Sequence, residues 1–127
     1  MSFLERFRRN KPALMSYPNS ITHIDVPLLK VYMAEDLVII NIDASSAQVL
    51  IDAAQHSIPT RLSGPQGRPL SLIPTADSST LPTLDPNLGW LLPLSPAVSA
   101  EILASGLPVG DTELSSINVA FVVEALK

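Results

Sequence analysis

Three places in the chain carry residue types and spacings that could do chemistry. His23 and Asp25 stand two apart in a strand-like stretch, so both side chains point to one side. Such a pair can hold a metal or orient a base. Nothing else in the sequence completes a ligand set around it, and the plain reading is a surface histidine near a carboxylate. Asp43 ends an apolar run just before a helix start, where α/β enzymes often set a nucleophilic or metal-binding aspartate. Its usual companions, a second acidic position beside it and a downstream lysine in a strand–loop context, are missing, since lysines occur only at 11, 30 and 127. Asp43 is therefore expected to serve the turn. The turn Asp43–Ser46 also precedes a helix N-terminus, which could hold an anion. Gly64 and Gly67 are too close together and too bound by proline to form a phosphate loop. No serine lies in a nucleophile-elbow context.

The elements that must position these groups are legible from periodicity. Leu37 to Ile42 is an apolar run rich in β-branched residues and reads as a buried strand. Ser45 with Gln48 three residues on resembles a capping box, and Ala47, Leu50, Ile51 and Ala54 recur at helical spacing, which predicts a helix over about 46–56. His56 at its end complements the helix dipole. Ile21 to Met33 alternates like a strand, and its second half, 28–33, is expected to pair with 37–42 as a hairpin. Turn chemistry at Gly64-Pro65-Gln66-Gly67 predicts a second hairpin between 58–63 and 68–74. If 58–62 ran parallel to 37–42, strand, helix and strand would form a right-handed crossover. Residues 75–87 form a long loop with turn signals at Asp77–Thr80 and Asp85–Asn87, and a loop of that length is often functional or partner-bound. Ser95 caps a second helix over 96–105, with Pro96 at its first position and Gly106 as its stop. After a turn at Gly110-Asp111, residues 117–126 read as a last strand. The expected fold is α+β: a small, mostly antiparallel sheet with two short helices. A doubly wound α/β fold has too few helices for its strands.

Composition bounds the function. The 127 residues are 46% apolar and 16% charged, against a usual charged share of about 25%. A chain this apolar should fold, and its surface either exposes apolar area or hides it against a partner. A formal net charge of −4 opposes general nucleic-acid binding, which needs a basic face. The lack of cysteine excludes disulfides, thiolate metal sites and cysteine nucleophiles. Twelve prolines, spread singly, mark strand ends and turns and form no polyproline ligand. No signal-peptide core and no transmembrane run of about 20 apolar residues occurs, so a cytoplasmic setting is expected.

Residues 1–12 stand apart as an amphipathic basic arm ahead of a single domain over 13–127. Phe3, Leu4 and Phe7 share one helical face, and Arg6, Arg8, Arg9 and Lys11 supply cations. Such an arm docks on a partner subunit or on its own core, and makes only a weak membrane-surface contact. Taken together, the sequence points to a non-enzymatic structural or assembly protein that acts through protein–protein contacts, as a homo-oligomer or as a small accessory subunit of a larger particle such as a phage capsid or tail, which would place it in a virion. No cofactor or metal is expected. The residues expected to touch partners are Phe3, Leu4, Phe7, Arg8 and Arg9 in the arm, with Leu81, Leu84 and Trp90 around the long loop. The alternatives are a small regulatory module that binds an anion at Asp43–Ser46, and an enzyme using His23, Asp25 or Asp43.

Overall fold

The apolar run at 37–42 forms a strand, β3 (Leu37–Asp43), whose Ile40 and Ile42 are fully shielded from solvent. Around it the computed structural model describes residues 15–125. Before β3 come β1 (Thr22–Asp25) and β2 (Leu29–Ala34), separated at Pro27. After it come α1 (Ala44–His56), β4 (Thr60–Ser63), β5 (Leu70–Pro74), β6 (Thr83–Asp85), β7 (Gly89–Leu94), α2 (Pro96–Ser105), β8 (Gly110–Glu113) and β9 (Val119–Glu124). The expected arm over 1–12, with Phe3, Leu4, Phe7, Arg8 and Arg9, lies outside the described residues.

The fold is α+β, with two helices and nine strands among the described residues. The strands form two mixed sheets, one ordered β1-β4-β5-β7-β6 and the other β2-β3-β9-β8. Three of the seven strand pairs are parallel, so the antiparallel majority is narrow. Both expected hairpins are present, β2 with β3 and β4 with β5. The conditional crossover is not: β3 takes its parallel partner from β9, and β4 pairs with β1 in the other sheet. The reason is burial. Leu62 of β4 and Ile40 of β3 both belong to one core, which the two sheets and the paired helices close together. A β4 placed beside β3 would remove the strand that joins β1 to β5 in the other sheet.

The first helix starts two residues earlier than the sequence pattern implies. Asp43 is its N-cap, and Gln48 reaches Asp52 at 3.0 Å instead of closing a capping box with Ser45. The second helix has the expected Ser95 cap, Pro96 in its first turn and left-handed Gly106 at its end. Gly110-Asp111, read as a turn, opens β8, and the long loop contains the short strand β6. Among the described residues no helix is long and apolar enough to cross a membrane.

Candidate functional site

The carboxylates singled out by the sequence fall on different sheets. His23 and Asp25 are exposed on β1, while Asp43 is buried at the end of β3. Among the described residues no group of three or more His, Cys, Asp or Glu is placed to hold a metal. Asp43 receives the Ser45 hydroxyl at 2.5 Å, the Ser46 hydroxyl, and the Ser46 backbone N–H at 3.3 Å. Burial raises its pKa, but the hydrogen bonds from Ser45 and Ser46 outweigh this and hold the carboxyl below its ordinary value. Two hydroxyls and one backbone N–H at this helix start are thus engaged with a charge the chain itself supplies.

A different region gathers contact-forming side chains. At one end of the β2-β3-β9-β8 sheet lies an open groove of about 700 Å³. Its walls are the β2–β3 turn, the β8–β9 loop, and Leu81 from the long loop between β5 and β6. Leu37, Leu81, Leu114 and Ile117 give it an apolar lining, and the carboxylates of Glu35, Asp36 and Glu113 stand exposed around it.

Each wall is held by local chemistry. Glu35 takes a left-handed conformation, φ 57°, to turn β2 into β3. Asn118 donates through its side-chain amide to the Asp36 carbonyl at 2.8 Å, and the Val38 N–H donates to the Asn118 carbonyl at 2.9 Å, so turn and loop are tied. From α2, Glu101 grips the same loop, accepting the backbone N–H groups of Ser115 at 2.7 Å and Ser116 at 2.6 Å. Hydrogen bonds from Ser116, and then from Ser115, hold the Glu101 carboxyl at about 2. The long loop is ordered by two aspartate turns. Asp77 accepts the Ser79 N–H at 2.9 Å, and Asp85 accepts the N–H groups of Asn87 and Leu88 at 2.8 Å each. These bonds lower the pKa of both carboxyls, through Ser79 for Asp77 and through Leu88 and Asn87 for Asp85. The loop between them presents Leu81 to the groove with 45% of its surface exposed.

Of the residues expected to touch partners, Leu81 lines this groove. Leu84 is exposed on β6 opposite Trp90, and Trp90 is half-buried against the core. The groove carboxylates were not singled out in advance. Ala34-Glu35-Asp36 reads in sequence as a short polar link, and Glu113 lies 77 residues beyond Asp36, between the Gly110-Asp111 turn and the strand expected over 117–126. Only the sheet, which sets β2–β3 and β8–β9 ends side by side through β9, brings them together. No protein-family model and no curated protein matches the chain.

Proposed function

We propose that this chain is a non-enzymatic structural or assembly protein that acts through protein–protein contacts, and that the groove beside Leu81 is the surface it presents. One observation carries the reading: an apolar lining and an acidic rim converge at a site whose walls are tied before any partner arrives. Preorganised walls reduce the ordering cost of association. The rim adds a preference for a basic partner, because complementary charge steers encounter and suppresses wrong partners. The matching ligand is a protein segment that pairs apolar side chains with Lys or Arg, supplied by a second copy or by another subunit of a larger particle, in the cytoplasm or in a virion.

The experiment compares wild-type protein with Glu113→Lys, which reverses a rim charge at an exposed position. Sedimentation velocity and affinity capture from the source cells should give a defined complex, self-associated or with a stoichiometric partner, that Glu113→Lys weakens. A wild-type protein that stays a monodisperse monomer at high concentration, and captures the same set of proteins as the variant, counts against the proposal.

A further inference from the structure

The β2-β3-β9-β8 sheet has one face on the core and one face away from it. Ile40, Ile42, Phe121 and Val123 point to the core, where the buried apolar residues of both helices join them. Their neighbours along each strand point outward. The register sets these in two rows across all four strands. One row reads Tyr32, Ile39, Ala120, Glu113, and the next reads Lys30, Asn41, Val122, Asp111.

The middle of this outer face is apolar and open. Ile39 and Val122 are half-buried, Tyr32 is 49% exposed, and Ala120 is a short side chain set between Ile39 and Glu113. Asn41 is satisfied within the molecule, donating to the Val122 carbonyl at 3.0 Å and to the Glu124 carboxylate at 2.9 Å. It can therefore be covered without losing a partner. The flanks carry opposite charge. Lys30 stands exposed on edge strand β2, and Arg68 of the β4–β5 turn shares a cleft with it and with Tyr32. These are two of the three Lys and Arg side chains among residues 15–125. Asp111 and Glu113 stand exposed on the other edge strand, β8.

We propose that a second copy of this chain packs face to face on the outer side of the β2-β3-β9-β8 sheet, about a two-fold axis that runs along the strands between β3 and β9. In an isologous contact, residue i meets residue j while j meets i. An axis along the strands lays β2 of each copy over β8 of the other and keeps each row at its own level. Lys30 then meets Asp111 of the second copy, Tyr32 meets its Glu113, and Ile39 meets its Ala120. An axis across the strands would lay β2 over β2 and β8 over β8, opposing base to base and acid to acid, which costs affinity. The charges thus choose both the occupant and the axis. Aligned packing of two sheets about 10 Å apart is an ordinary arrangement. Four strands of about six residues measure roughly 19 by 20 Å, at the low end for protein pairs, so the dimer is weak and reversible. Neither Lys30 nor Asp111 lines the groove at Leu81, so the two surfaces stand or fail separately.

The test is sedimentation velocity on the full-length chain at up to about 0.5 mM, where a weak dimer is populated. Lys30→Asp and Asp111→Lys are compared alone and mixed. Both positions are exposed on edge strands, so the reversals leave the fold intact, with unchanged far-UV circular dichroism. Within one molecule they stand three strands apart, roughly 14 Å, too far to pair directly. Each variant alone opposes like charges at both ends of the dimer and should self-associate about tenfold or more weakly than wild type. In an equal mixture, every contact between the two variants opposes unlike charges again, so heterodimer should form at near wild-type strength. A wild-type chain that stays monomeric, leaving the face to a different protein or to another part of the chain, would overturn the proposal. So would single variants that associate like wild type, or a mixture that associates no better than the variants alone.

Discussion

Replacing Asp43 by alanine removes the N-cap of α1 and strands a buried hydroxyl beneath it. The cap alone contributes about 1 kcal/mol. Ser46 is 1% exposed and donates its hydroxyl to Asp43, so losing the acceptor leaves a buried donor unsatisfied, at about 1–3 kcal/mol. Ser45 is exposed and can turn to water. The expected loss is therefore about 2–4 kcal/mol, which for a chain of this length lowers Tm by roughly 8–15 °C. Asp43→Asn keeps a good capping oxygen and should cost less than about 1 kcal/mol. Thermal unfolding of the three proteins at neutral pH reads the difference. The pH dependence follows from the lowered carboxyl: between the native and the unfolded pKa the unfolded state binds more protons. The contribution of Asp43 is thus complete above about pH 4, the ordinary aspartate value, and is lost as the pH falls through the lower native value. If alanine lowers Tm by less than about 2 °C, or alanine and asparagine lower it equally, the capping argument fails.

Two further substitutions test the β1-β4-β5-β7-β6 sheet and the loop that walls the groove. Gly89 opens β7 at φ 87°, and a Cβ there would stand 2.6 Å from the Pro69 carbonyl oxygen, which already accepts the Trp90 N–H at 2.9 Å. Gly89→Ala should destabilise the fold by about 1–3 kcal/mol from backbone strain alone, with the clash added; chemical denaturation that shows no loss would refute this. Glu101 holds the β8–β9 loop as a carboxylate, so its grip is complete above the ordinary glutamate value near 4.3 and is released as the pH falls through about 2. The Ser115 and Ser116 amide resonances should shift with that low midpoint, and Glu101→Gln should abolish the titration; a midpoint near 4 would contradict the hydrogen-bond geometry.

Much of the fold is written locally, and local patterns are what a sequence displays. Ser95-Pro96 and Gly106 bracket α2 because capping acts over a single turn. The β2–β3 and β4–β5 hairpins follow from alternation and turn residues close in the chain. What escaped is non-local. The parallel pairing of β3 with β9 joins Val38 to Val119, and no local signal announces it. The same pairing builds the groove, so Leu81 could be picked out as an exposed loop leucine while Glu35, Asp36 and Glu113 could not. Asp43 is legible in kind: its missing companions point to a turn residue, and two serines in the first turn supply the donors that make it the cap.

The most direct measurement of the central claim is site-specific photocrosslinking in the source cells, with a photoreactive amino acid at Leu81 and, as control, at Val109, which is 60% exposed and outside the groove. The account predicts a discrete protein adduct from position 81 that weakens with Glu113→Lys, and none from position 109. The same pattern of adducts from both positions, or an adduct at 81 indifferent to the charge reversal, would contradict it.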